Sequence, residues 1–209
     1  MAPAVTGVVL AGGDSHRMGR DKAFLEFAGL PLVRHVIEAL RPACVDLMVV
    51  TKTPLRYASL GVRVVTDADP RRAALVGLCT GLRAVATPLA FVAACDLPHL
   101  SAGVVTWMTS LARGYDAVVP WAGGRWHPLH AVYATSALAA LERRLAAGGL
   151  RMSEVLGELR VRRIEEAELA VLSPGLETLR NINTPEDYSS LKAHGAGRTP
   201  KSGTDPIPS

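Results

Sequence analysis

The sequence predicts an α/β fold of three layers, in which helices cover both faces of a mainly parallel β-sheet. Short apolar, β-branched segments alternate along the chain with longer segments whose apolar residues recur every three or four positions. The 209 residues are 49% hydrophobic and 20% charged, which is the size and composition of one globular domain. We therefore expect one folded unit and exclude a chain that is disordered over most of its length.

In the first half of the chain we expect four buried strands. They cover Val5–Leu10, Val45–Thr51, Val62–Thr66 and Leu89–Ala94. Pro31 favours a helix start, because proline suits the first helical position and the apolar residues after it lie three and four apart. A second helix is predicted over Leu75–Val85. Strands and helices in alternation favour parallel pairing with crossover helices.

In the second half we expect two further strands and three further helices. These are a helix from a Ser101 cap to Leu111, strands over Asp116–Pro120 and His127–Thr135, a helix over Ser136–Ala146, and a helix that begins at Thr184–Pro185. The last start combines a hydroxyl cap, proline and acidic residues in the first turn. The final residues are rich in Gly, Pro, Ser and Thr, so we expect a single domain over 1–193 and a disordered tail over 194–209.

Composition and charge exclude several classes of protein. The net charge of +4 is spread along the chain, and the aromatic residues do not alternate with Lys and Arg, so a nucleic-acid partner is not expected. We also expect no membrane partner, because no uncharged apolar run reaches the length that crosses a bilayer. The odd set of Cys44, Cys79 and Cys95 favours neither a disulfide framework nor a zinc site, and we expect a cytoplasmic protein.

The loop after the first strand has the composition of a phosphate-binding loop. Gly12 and Gly13 let the backbone bring N–H donors close to phosphate oxygens, and Arg17, Arg20 and Lys22 add cations. Ligands of parallel sheets bind at the carboxyl ends of strands, which is where this loop lies. The loop has neither the Walker A pattern nor G-x-G-x-x-G, so it predicts neither a P-loop nor a dinucleotide-binding Rossmann domain.

This loop resembles the signature of a known enzyme family. Its pattern over residues 10–22, Leu-Ala-Gly-Gly-x-x-x-Arg-Met-Gly-x-Asp-Lys, is similar to that of the molybdenum cofactor guanylyltransferase (MobA-like) family of nucleotidyltransferases. The resemblance implies a three-layer, Rossmann-like nucleotidyltransferase fold. It also implies nucleotide contacts from the loop, with Arg17 and Lys22 acting in catalysis on the phosphates. The implied contacts are Leu10, Ala11, Gly12, Gly13, Arg17, Gly19 and Lys22.

Carboxylates follow two of the predicted strands. Asp96 comes after Leu89–Ala94, at a strand end where a carboxylate suits Mg²⁺, and the resemblance implies that Cys-Asp-x-Pro holds this ion. Asp67 follows the strand Val62–Thr66 and has the acceptors to bind the N1–H and N2–H₂ edge of guanine. Asp69 is the alternative candidate for this contact, and aspartate at either position also suits the start of a turn. The resemblance further places Thr51 beside the base.

The second half contains candidate acceptor contacts. Residues 124–133 resemble the Arg-x-x-Pro-x-x-Ala stretch of the same family, and residues 181–186 resemble its second signature. Arg125 and Arg151 are candidates to hold an anionic pterin phosphate, although either suits the surface equally well. The resemblance implies that the Asn181 and Asn183 amides face the point where acceptor and metal meet. His127 and His130 are predicted on opposite faces of a strand, which is poor geometry for a shared metal.

The resemblance implies an Mg²⁺-dependent guanylyltransferase that uses GTP and molybdopterin. The N-terminal half would bind the nucleotide and the C-terminal half the acceptor, with proteins that deliver molybdopterin or mature molybdoenzymes as further partners. A cytidylyltransferase of the same pathway, or a transferase for another phosphorylated acceptor, is the alternative within this fold. A non-catalytic nucleotide sensor or accessory subunit is the alternative from another class.

Overall fold

The computed structural model describes residues 3–12 and 21–195. Its main feature is an eight-stranded sheet in the order β10-β7-β9-β6-β1-β4-β5, with β8 paired to β7, and β2 and β3 form a separate two-stranded hairpin. The strands are β1 (Val5–Leu10), β2 (Glu26–Phe27), β3 (Leu30–Pro31), β4 (Asp46–Thr51), β5 (Arg63–Thr66), β6 (Leu89–Ala94), β7 (Ala117–Ala122), β8 (Arg125–Trp126), β9 (His130–Ala134) and β10 (Val161–Glu165).

Helices cover both faces of this sheet, which confirms the predicted three-layer α/β fold. They are α1 (Leu32–Leu40), α2 (Ala74–Ala84), α3 (Ala102–Ser110), α4 (Leu138–Ala146), α5 (Met152–Leu156), α6 (Glu166–Leu172) and α7 (Pro185–Gly195). Buried residues of α1, α3 and α6 pack on one face, and those of α2, α4 and α5 pack on the other. Among the described residues, no helix has the length and apolar character needed to cross a membrane.

The sheet is parallel where the candidate site lies. Strand β1 pairs in parallel with both β4 and β6, and β4 pairs in parallel with β5. Strand β9 is antiparallel to β6 and β7, whereas β10 is parallel to β7. The carboxyl ends of β6, β1, β4 and β5 therefore lie side by side along one edge.

Close packing of α2 on the sheet depends on a glycine. A Cβ at Gly81 would lie 2.8 Å from Cγ1 of Val8, which is closer than side-chain carbons approach each other. Because Gly81 has no side chain, α2 lies directly against β1 and its first turn borders the carboxyl edge of the sheet.

Several elements differ from the sequence prediction. His127 was predicted within a strand, but β9 begins only at His130, because Pro128 lacks the N–H that a ladder needs and the His127 carbonyl accepts the His130 N–H in a turn. The sequence prediction missed β10, in which three of five residues are charged, and also missed α5 and α6. Helix α7 continues to Gly195 and so includes the first two residues of the predicted tail, and 196–209 lie outside the described residues.

Candidate active site

The carboxyl ends of the four neighbouring parallel strands open into a cleft of about 1410 Å³. Seven of the residues singled out in the sequence line it: Leu10, Ala11, Gly12, Lys22, Thr51, Asp67 and Asp96. Neighbouring strands lie about 4.8 Å apart, so the three intervals from β6 to β5 span about 14 Å. The cleft is therefore long enough for an elongated ligand that reaches from Asp96 at one end to Asp67 at the other.

A buried carboxylate with two donors forms one end of the cleft. Asp96 is 7% exposed, and its Oδ2 accepts a hydrogen bond from Nζ of Lys22 at 3.2 Å. Its Oδ1 accepts one from Nδ2 of Asn181 at 2.8 Å. The two donors come from positions 74 residues before and 85 residues after Asp96 in the chain. Both carboxylate oxygens are thus engaged, one by a cation and one by an amide.

The segment before α7 completes this cluster. Nζ of Lys22 donates to Oδ1 of Asn183 at 3.0 Å and to the Ile182 carbonyl at 3.4 Å. The Ile182 N–H donates to the Asp96 carbonyl at 3.1 Å, so the segment is also tied to the end of β6 through its backbone. The structure therefore brings Asn181 and Asn183 to Asp96 and Lys22. That acceptor and metal meet there stays a prediction from the family resemblance.

The start of α7 holds this segment in position. The Asp187 carboxylate accepts the N–H groups of Asn183 and Thr184, each at 2.9 Å, and the Thr184 hydroxyl accepts the Asp187 N–H. The hydrogen bond from the Asn183 amide is the main cause that lowers the pKa of Asp187. These reciprocal bonds form the predicted cap at Thr184–Pro185 and fix the turn from which the two Asn side chains project.

A second acid positions Lys22. Oδ1 of Asp21 accepts the Ala23 N–H at 3.2 Å and so caps the short 3₁₀ turn that carries Lys22. Oδ2 of Asp21 accepts the Tyr57 hydroxyl at 3.3 Å and pairs with Arg56 at the same distance. Burial is the main cause that raises the pKa of Tyr57 far above its usual range, so this phenol is a hydrogen-bond donor at neutral pH.

At the other end of the cleft, Asp67 is buried in a network of its own. Oδ2 accepts a hydrogen bond from Nζ of Lys52 at 2.9 Å, and Lys52 also donates to the Asp69 carbonyl. Oδ1 accepts the Asp69 N–H at 3.2 Å and the Thr80 hydroxyl at 3.4 Å. Asp67 lines the cleft, whereas the Asp69 carboxylate pairs with Arg71. The hydrogen bonds from Arg71 strongly lower the pKa of Asp69.

The loop after β1 is described as far as Gly12. The Ala11 N–H donates to the Val50 carbonyl and the Leu10 carbonyl accepts the Cys95 N–H, so this backbone is anchored to both neighbouring strands. Among the described residues, a Cβ at Gly12 would meet nothing within 4 Å. Gly13, Arg17 and Gly19 lie outside the described residues.

Thr51 lines the cleft but is almost fully buried. It is 1% exposed, and its hydroxyl accepts the Thr53 N–H at 3.2 Å. This local bond shapes the turn that follows β4 and so positions the next residue, Lys52, at the wall of the cleft.

The structure does not bring the two candidate arginines to the cleft. Arg151 has 82% of its side chain exposed and lies 3.8 Å from Glu154 beside a small surface depression at α5. Arg125 is exposed on β8. Neither is among the residues that line the cleft.

Within the described residues, His127 and His130 do not belong to a metal-binding group. His130 is 1% exposed, packs edge-on against Phe91 and has no hydrogen-bond partner within the described part of the chain for either ring nitrogen. Burial lowers its pKa to about 3. His127, unlike His130, has a hydrogen-bond partner, since its Nε2 lies 3.3 Å from the Ala122 carbonyl oxygen. Among residues 3–12 and 21–195 no three His, Cys, Asp or Glu side chains form a metal-binding group.

Sequence reasoning missed several residues of the cleft. Lys52, Arg56 and Arg72 add cations to its wall, and Asp21 and Tyr57 support Lys22. Lys52 had a detectable signal, since it directly follows a predicted strand on the ligand-binding edge. The positions of Arg56 and Tyr57 depend on a 3₁₀ segment over Pro54–Leu60 that has no clear periodicity in the sequence.

Comparison with known proteins identifies the family. The model of the MobA-like NTP transferase domain matches residues 7–162, which is well over half of the chain. The chain belongs to the MobA-like NTP transferase family. The matched range contains the loop after β1, the Lys52–Asp67 pair and Asp96, so both ends of the cleft lie within the family domain.

Individual proteins that resemble this MobA-like chain support the same family assignment. It is 36% identical to molybdenum cofactor guanylyltransferase of Desulfosudis oleivorans, covering 91% of this chain and 95% of that protein. It is 32% identical to probable molybdenum cofactor guanylyltransferase of Carboxydothermus hydrogenoformans, covering 90% and 94%. The crystal structure of molybdopterin-guanine dinucleotide biosynthesis protein A from Archaeoglobus fulgidus superposes with a TM-score of 0.81 at 25% identity, covering 92% of this chain and all of that one.

Proposed function

We propose that this protein is a molybdenum cofactor guanylyltransferase, which transfers GMP from GTP to the terminal phosphate of molybdopterin and releases pyrophosphate. The observation that carries the proposal is the convergence of Lys22, Asp96 and Asn181 at one end of a long cleft in a MobA-like chain. The names of its relatives supply the nucleotide and the acceptor. The cleft volume exceeds the upper range of about 1,000 Å³ for typical small-molecule sites, which suits two substrates.

The nucleotide lies along the edge of the sheet in this proposal. Its triphosphate contacts the backbone of Leu10, Ala11 and Gly12 together with Lys22, and the base lies at the Asp67 end. Gly13, Arg17 and Gly19 belong to the same phosphate-binding loop in the proposal. The span of about 14 Å between the two ends suits an extended nucleoside triphosphate.

The residues present fit a magnesium ion. Asp96 offers a hard carboxylate at the phosphate end of the cleft, and the described residues form no cage of several protein ligands. That donor set is typical of Mg²⁺, which is held by one or two carboxylates and by substrate phosphates. Asp96 would hold the ion. When bound there, Mg²⁺ supplies positive charge that neutralises the phosphate oxygens.

Lys22 has two uses in this mechanism. Without nucleotide, its ammonium neutralises the buried Asp96 carboxylate and is held by Asn183. With a triphosphate in the cleft, the ammonium turns from Oδ2 of Asp96 to the phosphate oxygens and stabilises the charge on the departing pyrophosphate. Arg17 acts on the same charge in the proposal. Asn181 keeps its bond to Oδ1 and holds the carboxylate in place.

The reaction needs no general base from the protein. A phosphate monoester has its second pKa near 6 and is already ionised at neutral pH. An oxygen of the acceptor phosphate forms a bond to the α-phosphorus of GTP, and the bond from that phosphorus to the bridging oxygen breaks, so that pyrophosphate leaves with the electron pair. Positioning and charge neutralisation by the cleft residues therefore account for the catalysis.

The acceptor side rests on fewer contacts. The proposal assigns it to Asn181 and Asn183, which adjoin Asp96 and Lys22, while contacts from Arg125 and Arg151 stay predictions from the sequence. Exchange with proteins that deliver molybdopterin or mature molybdoenzymes, and a cytoplasmic location, are part of the same proposal. The three free cysteines agree with a reducing compartment.

The test is release of pyrophosphate by purified protein given molybdopterin and Mg²⁺ with either GTP or CTP. The proposal expects pyrophosphate with GTP and a guanine dinucleotide product by mass spectrometry. Release with CTP but not GTP would establish the cytidylyltransferase instead. Binding of GTP without any product in the presence of acceptor would indicate a nucleotide sensor.

A further inference from the structure

The network around Asp67 limits how this carboxylate can read a base. A carboxylate offers about four acceptor positions. Lys52, Thr80 and the Asp69 N–H occupy three of them. Asp67 therefore cannot accept both the N1–H and the N2–H₂ of guanine, as the sequence had suggested, without breaking a bond that it already makes.

Lys52, unlike Asp67, can contact a base without breaking a hydrogen bond that it already makes. Its side chain is 25% exposed and lines the cleft. An ammonium group has three N–H donors, and in the described structure two of them are directed to Oδ2 of Asp67 and to the Asp69 carbonyl. Both acceptors hold the ammonium at the base end of the cleft, and one donor remains for a ligand.

We propose that Lys52 determines base specificity by donating a hydrogen bond to O6 of guanine, and that Asp67 is the residue that positions it. This inference rests on the proposed function, because it assumes a guanine nucleotide in the cleft with its phosphates at Lys22. Guanine presents the acceptors O6 and N7 on one edge, whereas adenine and cytosine present an amino group there. A lysine donates only, so it attracts O6 and repels an exocyclic amine.

The placement of the pair supports this assignment. Lys52 follows β4 and Asp67 follows β5, the two strands farthest from Asp96 on the ligand-binding edge. Because the pair is partly shielded from water, the hydrogen bond to the base is stronger than it would be at an exposed lysine. The same shielding makes a misplaced amino group costly, since it would leave the ammonium facing another donor.

The experiment measures nucleotide affinity by isothermal titration calorimetry with Mg²⁺. The probes are GTP, ITP, and the triphosphate of 2,6-diaminopurine riboside, in which an amino group replaces O6 and N1 carries no hydrogen. We expect the wild-type protein to bind GTP at least about tenfold more tightly than the diaminopurine nucleotide, as one good base contact provides. Equal affinity for these two probes would overturn the proposal without any variant.

Variants then assign the discrimination to Lys52. Lys52→Met should weaken GTP and ITP, which both carry O6, by the same factor, and should strengthen binding of the diaminopurine nucleotide, whose amine then no longer faces an ammonium. Lys52→Arg, which keeps a donor, should retain part of the preference. Arg143→Met removes an exposed cation outside the cleft and is the matched control. An equal loss for all three probes in Lys52→Met would place the lysine on ribose or phosphate and refute its role in reading the base.

Asp67→Asn tests positioning. It should reduce the ratio of GTP to diaminopurine affinity toward that of Lys52→Met, whereas a merely structural role would weaken both probes alike. Circular dichroism confirms that each variant is folded. Failure of the proposed function gives a different result, because the wild-type protein would then release pyrophosphate from CTP, or from neither nucleotide, whatever the outcome of the binding series.

Discussion

Replacing Asp96 by asparagine is the most direct test of the cluster at the phosphate end of the cleft. The change keeps the shape of the side chain but removes its charge and leaves one oxygen in place of two. At present both oxygens accept bonds, one from Lys22 and one from Asn181. With Lys22 and Asn181 oriented as they are, the introduced amide N–H₂ faces either the ammonium or the Asn181 N–H₂, donor against donor.

The cost of Asp96→Asn follows from that loss. Hydrogen bonds that involve a charged group contribute about 1.5–3 kcal/mol each, and one such bond is lost at a side chain that is 7% exposed. With about 2 kcal/mol as the central value, and about 2–4 °C per kcal/mol for a chain of this size, we expect Tm to fall by about 4–8 °C. Turnover should fall about 100-fold or more, because the carboxylate that faces the phosphates is gone.

Two assays check Asp96→Asn. Thermal unfolding without ligand measures the stability, and pyrophosphate release with GTP, molybdopterin and Mg²⁺ measures turnover. Glu142→Gln is the matched control, since it removes a carboxylate that is 40% exposed and paired with Arg83 on the surface. Such pairs contribute at most about 1 kcal/mol. Wild-type turnover by the Asp96→Asn protein would refute the assignment of Asp96, and an unchanged Tm would refute the importance of its two hydrogen bonds.

Three further predictions concern other parts of the molecule. Lys22→Met should weaken GTP binding about tenfold in calorimetry, as expected for loss of a charge-assisted bond, and unchanged affinity would remove Lys22 from the phosphate site. His130 has a pKa of about 3 when folded and about 6.5 when unfolded, so the unfolded chain binds more protons between these values. The free energy of unfolding should therefore fall by about 2 kcal/mol between pH 7.5 and pH 5, and urea titrations should show this component missing in His130→Leu; an identical pH dependence in both proteins would contradict it. Gly81→Ala should lower stability by about 1–3 kcal/mol despite the better helix propensity of alanine, because its Cβ would lie 2.8 Å from Val8; a rise in Tm would show that α2 moves freely away from β1.

The parallel half of the sheet was predictable because its signals are local. Strands β1, β4, β5 and β6 are short apolar runs, and the helices between them have clear three-and-four spacing, so their order required no knowledge of tertiary contacts. The family resemblance over residues 10–22 is equally local. In the C-terminal part, β10 has two adjacent arginines and only two apolar residues at a sheet edge, and α5 has only five residues, so neither has a strong periodic signal.

The sequence by itself determined the α/β fold, the family, and Lys22, Asp67 and Asp96 as residues at the ligand-binding edge. The tertiary structure decided how these residues are paired. Lys22 donates a hydrogen bond to Asn183, 161 residues away in the chain. Asp67 is paired with Lys52, and the lysine is therefore the residue that we propose to contact the base. It also left Arg151 outside the cleft. Such pairings depend on which strand ends adjoin and which hydrogen bonds a buried carboxylate has already formed, and neither is a property of local sequence.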